Sequence, residues 1–584
     1  SPARLYYGSQ RLWRSDDRGD SWRPVSGDLT RGRNRYELEL MGRVWSVDDL
    51  YDNTAMSWYG TLTAVAESPL VEGLLYAGSD DGLVQMSEDG GDSWQRIEIP
   101  GVPELAFVND LMASLHDPDT VYAVFDNHKQ GDFSPYVYRS DDRGRSWRSV
   151  AGDLPERHVL WSIVQDHERP GLLFAGSEYG IHFTLDGGGR WLKLAGGPTI
   201  AFRDLAIQRR ESDLIGASFG RGFWVLDDYS PLRSLSEEAL AQEALLFAPR
   251  DALWYAPANT MATRGKAYQG GAYFAAPNPP HGAVFTYHLR DSAETARERR
   301  RAHDKELRET GEDVQFPGWE VLRDEELESE PRVVLTVRAA DGAVVRRLDG
   351  AAGAGIHRVT WDLHYPPVDP IEIEPPGELP PWARPPRGPL AVPGRYTVEL
   401  ARFDGDRLTP LGDPQGFSIR TLDNQSLPAA EPGEALAFAR NTADLHRRLQ
   451  GAAAELDSAG ERIEYLERAL FATPAAPTEL LARLRAAERE IAELEVELTG
   501  DAVRRRLREP TTPSILDRVG SVARGHWDNR GGPTATHRRE LEVAAEAFDR
   551  LAPRLRELLE AELPAIEVAL EEAGAPWTPG RRLP

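Results

Sequence analysis

The 584-residue chain carries 68 Lys and Arg against 94 Asp and Glu, a net charge of −26, and no cysteine. That balance argues against nucleic acid and anionic membrane surfaces as partners, and the missing thiols exclude disulfides, thiol catalysis and Cys-ligated metals. No apolar run reaches the roughly 20 residues of a membrane-spanning helix, and the length suits about three or four domains.

An octet of the form Ser/Thr-x-Asp-x-Gly-x-x-Trp occurs four times in the first third of the chain: Ser15–Trp22, Ser87–Trp94, Ser140–Trp147 and Thr184–Trp191. Its chemistry is that of a self-contained turn. Asp17, Asp89, Asp142 and Asp186 can accept backbone N–H groups of their own turn. Gly19, Gly91, Gly144 and Gly188 supply dihedrals that a side chain forbids, and Trp22, Trp94, Trp147 and Trp191 fold back over the loop. Strand pairs such as Leu74–Met86 and Leu172–Phe183 precede the octets, so the repeat is a small antiparallel sheet. Such a sheet cannot bury both faces alone and must stack beside its neighbours.

The octets start 72, 53 and 44 residues apart, and the later intervals match the roughly 40–50 residues of a four-stranded unit. The irregular stretch 31–59 accounts for the first, longer interval. Full units are predicted over 60–99, 104–150 and 158–196. A unit over 1–30 lacks its first strand, since Leu5–Ser9 matches a second strand. A last unit over 200–228 has Val225–Asp228 in place of the octet. This mismatch predicts a chain that opens inside a repeat, with earlier repeats and any export signal upstream of Ser1.

From 245 to 425 the segments Ala283–Leu289, Val333–Val337, Val359–Leu363 and Tyr396–Leu400 alternate apolar and polar residues, and Asp341-Gly342 marks a hairpin. A β-sandwich is predicted here, interrupted by a charged helical insert, 291–328, and a Pro-rich loop, 366–393. Over 430–584 the spacing of Leu480, Leu484, Ala487, Ile491, Leu494 and Leu498, and of Leu541, Ala544, Phe548, Leu551, Leu555 and Leu558, predicts an antiparallel helical bundle interrupted by the Gly/Pro-rich segment 509–534.

The octets are Asp boxes, and the chain resembles the bacterial BNR/Asp-box repeat proteins, whose propeller is related to the sortilin/Vps10 and sialidase-like propellers. Tyr136–Arg139, Ala175–Gly180 and Gly220–Asp228 carry further likeness, and Pro393–Tyr396 with the Trp361 strand resembles an Ig-like or fibronectin-type module. The resemblance implies a mainly β protein: a propeller over 1–232 of about five blades, the end of a larger one, then an Ig-like sandwich and a helical bundle. It also implies an extracytoplasmic location, although this chain carries no export signal, and boxes at the outer corners of the blades, away from any ligand.

The opposite rim is the place for chemistry. Aligned repeats put Asp80 and Asp81, Glu178 and Tyr179, and Arg221 at equivalent hairpin tips, with Asp110, Arg203 and Asp204 on the innermost strands. Acids, an Arg pair and a Tyr suit a peptide or carbohydrate ligand. The same acids, Glu178, Asp110 and Asp204, are the raw material of a glycosidase. A sialidase fits poorly, because only Arg203 and Arg221 could join its Arg cluster and no Tyr-Glu nucleophile pair stands out. His128, near Asp126 and Asp132, lacks the further ligands a metal site needs. No zincin, α/β-hydrolase or phosphate-loop motif appears, so neither metal nor cofactor is expected. The expectation is a non-catalytic binding protein for a peptide or glycan, with a glycoside hydrolase on the same rim as the alternative.

Overall fold

The computed structural model describes residues 3–39, 42–49, 60–255, 257, 274, 276–373, 385–403, 405, 407–422, 430–527 and 531–581. Parts of the 31–59 stretch and of the Pro-rich loop lie outside them. The chain forms two compact units, Ser1–Ala239 and Leu240–Pro584.

The first unit is a row of five small antiparallel sheets. Sheet one is β1 (Leu5–Gly8), β2 (Leu12–Ser15) and β3 (Arg23–Pro24). Sheet two is β4 (Leu62–Glu67), β5 (Leu75–Ser79), β6 (Val84–Ser87) and β7 (Gln95–Ile97). Sheet three is β8 (Phe107–Ala113), β9 (Val121–Asn127), β10 (Asp132–Ser140) and β11 (Arg148–Ser149). Sheet four is β12 (Leu160–Gln165), β13 (Leu173–Ser177), β14 (Gly180–Thr184) and β15 (Leu192–Lys193). Sheet five is β16 (Phe202–Gln208), β17 (Asp213–Ser218) and β18 (Phe223–Leu226).

Each sheet leans on the next through an apolar layer: Leu12 and Val25 against Leu62 and Leu75, Tyr76 and Met86 against Val108 and Phe125, Tyr122 and Val137 against Ile163 and Leu173, Phe174 and Phe183 against Phe202 and Leu214. Burying such side chains contributes about 1.5–3 kcal/mol apiece. The first strands β4, β8, β12 and β16 stand side by side in chain order.

Each of those four strands carries a bulge at the same place. The extra residue is Thr63, Asn109, Trp161 or Arg203, between Leu62 and Ala64, Val108 and Asp110, Leu160 and Ser162, and Phe202 and Asp204. A bulge leaves one residue outside the pairing pattern and turns its side chain out of the sheet's alternation. Here it reaches a neighbouring sheet. Thr63 donates to the Val108 carbonyl at 2.7 Å and Asn109 to the Leu160 carbonyl at 2.9 Å. The Arg203 guanidinium lies 3.4 Å from the centre of the Trp161 ring.

The octets join third to fourth strands. In the third, the Asp142 carboxylate accepts from the Ser146 backbone at 2.8 Å, the Ser146 hydroxyl at 2.6 Å and the Ser140 hydroxyl at 2.8 Å, while Trp147 Nε1 donates to the Gly144 carbonyl at 3.0 Å. Ser21 and Ser93 serve Asp17 and Asp89 in the same way, and these bonds to the ionised form hold all three carboxyls down to about 2. In the fourth octet Asp186 accepts from Thr184, Gly189 and Arg190. Gly91 sits at φ +103°, where an added Cβ would meet the Val25 carbonyl oxygen at 2.4 Å. Gly91→Ala is therefore expected to cost about 2 kcal/mol, read as a lowered urea midpoint with an unchanged slope.

In the second unit, one sheet holds Ala244–Leu246, Ala283–Leu289 and Gly355–Trp361, and the other Ala252–Trp254, Gln415–Thr421, Gly394–Phe403, Arg332–Ala339 and Val344–Gly350, with Leu408–Pro410 beside Gly394–Phe403. They share a core of Phe285, Tyr287, Leu335, Trp361, Val398 and Phe417. The charged insert forms helices Ala296–Thr310 and Trp319–Leu327.

The helical part comprises Pro432–Ala472, Glu479–Leu498, Ile515–His526 and Ala535–Arg556, the last continuing through a π-turn into Leu563–Glu572. Both predicted stripes face its core, Leu541 only partly buried. One expectation is corrected: 509–534 contains a helix. Ser514 and Asp517 cap its start reciprocally, and Ile515, Val519, Val522 and Ala523 give it a buried face. The Gly and Pro residues flank it or sit where its packing tolerates them.

Candidate ligand-binding site

At the ends of the sheets opposite the octets, second strands turn into third strands. These turns are tied to the residues leading into each first strand. Asp80 N–H donates to Thr61, Glu178 N–H to Val159 and Phe219 N–H to Ala201. The equivalence read from the sequence therefore exists, but the three tips do different work.

Asp80 and Asp81 are buried, and their carboxylates are spent on the chain itself. Asp80 accepts from the Gly60 and Thr61 backbone at 2.8 and 3.0 Å. Asp81 accepts from the Ser79 hydroxyl at 2.5 Å and the Arg31 backbone at 2.8 Å, and Arg31 also bonds the Asp81 carbonyl. Arg221 is exposed on its tip.

Glu178, Tyr179 and Arg203 come together. They line a cavity of about 240 Å³ with His128, Phe133, Arg157, Val159 and Trp161. Trp161, the bulged residue of β12, is nearly buried and forms its floor. Its Nε1 donates to Glu178 Oε2 at 3.1 Å, Arg203 covers its ring, and His128 meets it edge-on at 5.6 Å. Arg157 lies over Phe133 at 5.0 Å. His128 is oriented by a bond from Nδ1 to the buried Asp126 carboxylate.

Two features set the electrostatics. Among the described residues, neither Arg157 nor Arg203 has a hydrogen-bonded or ion-paired partner. By contrast, Arg31, Arg169 and Arg233 of the same unit are saturated by carbonyls and carboxylates. Glu178, the one carboxylate in the lining, is bonded to Trp161. Both guanidiniums line the cavity over aromatic rings, with N–H groups that no described residue satisfies.

Asp110 and Asp204 occupy the position just after the bulge and are outside this lining. Asp110 accepts from the Ile163 backbone of the next sheet at 2.9 Å, and burial, with some push from Asp204, raises it to about 7. Behind the cavity wall lie His158 and His182, 5 % and 7 % exposed, with rings 4.5 Å apart. His158 also packs on Tyr179, and its Nε2 is without a partner. Burial lowers both, His182 to about 4. Among the described residues, no group of three or more His, Asp or Glu is placed to hold a metal.

The sequence reading missed Trp161, Phe133, Arg157 and Val159. The signal for Trp161 was present in the parallel pairs Leu62-Thr63, Val108-Asn109, Leu160-Trp161 and Phe202-Arg203, which mark one structural position four times. Phe133 and Arg157 lie in connections of irregular length, where no repeat register points to them.

No protein-family model matches the chain, and no curated protein matches it. Among solved structures, a GH74 enzyme of Niastella koreensis is 12% identical over 39% of this chain and 35% of its own, with a TM-score of 0.29. A GH74 xyloglucanase from Xanthomonas campestris is 15% identical over 38% and 34%, with a TM-score of 0.27. YCF48 from Cyanidioschyzon merolae is 16% identical over 29% and 53%, with a TM-score of 0.22. The matches span about a third of the two GH74 chains and half of YCF48. Likeness this partial leaves the residues of this chain to be judged on their own geometry.

Proposed function

We propose that the five sheets are blades of an Asp-box β-propeller of the BNR type, extracytoplasmic and followed by an Ig-like sandwich, and that the cavity beside Trp161 binds a peptide or glycan without turning it over. The observation that carries this reading is the pair Arg157 and Arg203. Two guanidiniums at one cavity, with N–H groups that no described residue satisfies, form a receptor for a carboxylate or similar planar anion. The Trp161 ring is covered by Arg203 and met edge-on by His128, so it offers a neutral sugar little face to stack on, and Tyr179 and Phe133 are the partly exposed rings of the lining.

Hydrolysis is less well supported. Two carboxylates about 5–9 Å apart across the scissile bond are needed, and the lining offers only Glu178.

The test is a binding array of acidic and neutral oligosaccharides and of peptides with free or amidated C-termini, run alongside hydrolysis assays. Affinity for the anionic members without turnover is expected, weakened about tenfold by Arg203→Ala or Arg157→Ala, the scale of one charged hydrogen bond. Turnover that disappears in Glu178→Gln and Asp110→Asn would favour the glycosidase instead.

A further inference from the structure

One wall of the cavity backs onto a pair of buried imidazoles. His158 lies between Arg157 and Val159, both lining residues, and its ring packs against Tyr179, a third, with centroids 5.6 Å apart. It also meets the ring of His182 on β14 at 4.5 Å, nearly perpendicular. Both side chains are more than nine-tenths buried. His158 Nε2 has no hydrogen-bond partner, and His182 Nδ1 lies 3.3 Å from the Ser177 hydroxyl.

The surroundings suit these rings only while they are neutral. Lys193, opposite His182 in the pairing of β14 with β15, faces both imidazoles with a like charge. Tyr179 presents its ring, and Arg157 is a cation. Of the carboxylates close by along the chain, Glu156 is exposed and Glu178 is bonded to Trp161. Elsewhere in the lining, His128 is held by Asp126, and Arg203 covers Trp161. Among the described residues, no carboxylate is bonded to His158 or His182. A proton on either ring is therefore buried near a cation with no acceptor for it, and its hydration requires the wall to open. The part of the wall that covers the pair is a tip held by short-range bonds. Glu178 N–H donates to the Val159 carbonyl at 3.0 Å, and Tyr179 N–H to the Ser177 hydroxyl at 3.2 Å.

We infer that His158 and His182 form an acid-operated gate in the cavity wall: protonation parts the two rings and lifts the tip carrying Glu178 and Tyr179 away from residues 157–159. Arg157 and Tyr179 then leave their places in the lining, and the cavity comes apart on one side. Release of a bound anion on acidification is the consequence, and that consequence rests on the anion site proposed above. The opening itself depends on the packing of the wall alone and can be measured without a ligand. The equivalent tips of sheets two and five carry the same bond, from Asp80 to Thr61 and from Phe219 to Ala201, but Gly60 and Ile200 stand where His158 precedes Val159. They serve as built-in controls.

The test is amide hydrogen exchange of the full chain, followed by mass spectrometry at pH 7.5 and pH 5.0 with labelling times scaled to the intrinsic rates. Peptides spanning 157–161 and 177–182 are expected to lose protection at pH 5.0 by up to about thirtyfold. That is the factor by which acid favours an open form in which His182 titrates at the ordinary 6.5 over a closed form in which it titrates at about 4. Peptides spanning 79–82 and 217–221 should keep their protection. His182→Asn should shrink the loss at the 177–182 tip several-fold. Lys193→Met, at an exposed position that leaves both imidazoles in place, should also reduce it, because the like charge is gone. Unchanged protection at pH 5.0, an equal loss in the two control tips, or a loss undiminished in both variants would each overturn the gate. A tip that opens in acid while no anion binds at pH 7.5 would remove the anion site and leave the gate standing, whereas anion binding at pH 7.5 with a tip that stays closed at pH 5.0 would remove the gate alone.

Discussion

Replacing Asp110 with Asn is expected to stabilise the protein by about 3 kcal/mol at pH 8 and by nothing below pH 4. The Asp110 carboxyl is raised from 3.8 to about 7, chiefly because burial penalises the charged form. Between those values the folded state holds a proton that the unfolded chain has released, so stability falls as pH rises. A rise of that size corresponds to about 4 kcal/mol, of which Asn forfeits part because its amide oxygen accepts the Ile163 N–H less strongly than a carboxylate. Thermal melts of both proteins from pH 4 to pH 8 should diverge above pH 4 and run parallel above pH 7. A variant that melts lower than the parent at pH 8 would show the carboxylate to be stabilising, and the burial argument would be lost.

The second large effect has the opposite sign. His158 and His182 are buried neutral side by side, with Lys193 adding repulsion. Their folded values lie below the ordinary 6.5, so between pH 6.5 and about 4 the unfolded chain takes up protons that the folded one refuses. The stability they contribute is complete above pH 6.5 and is lost as pH falls towards 4. For His182 the difference between folded and unfolded chains amounts to about 3 kcal/mol. His182→Asn should remove most of this acid sensitivity, whatever it does to stability at pH 8. NMR titration of the two imidazoles gives the direct measurement, and a midpoint near 6.5 for both would refute the prediction.

How far the sequence could be read depended on the reach of each interaction. The octets were legible because Asp142, Gly144, Ser146 and Trp147 complete their hydrogen bonds within eight residues. The helical stripes were legible for the same reason. Asp80-Asp81-Gly82 looked like a solvated hairpin tip, yet its carboxylates are taken by Gly60 and Arg31, from 20 and 50 residues away. The helix Ile515–His526 was obscured by neighbouring Gly and Pro, although Ser514 and Asp517 spelled out its cap. At the candidate site, Glu178, Tyr179 and Arg203 were found by superposing repeats. Arg157 and Phe133 reach the cavity from loops that follow no period.

The irregularity repeated in β4, β8, β12 and β16 has a consequence for how such a protein can change. A residue excluded from strand pairing owes nothing to the ladder, so its identity can vary while the scaffold stays the same. Thr63, Asn109, Trp161 and Arg203 show four answers at that one spot: a hydroxyl, an amide, an indole and a guanidinium. The row of sheets behaves like a rack of sockets, in which a single codon per sheet resets the chemistry shown at the bulge, at the cost of one inter-sheet hydrogen bond where the residue replaced is Thr63 or Asn109.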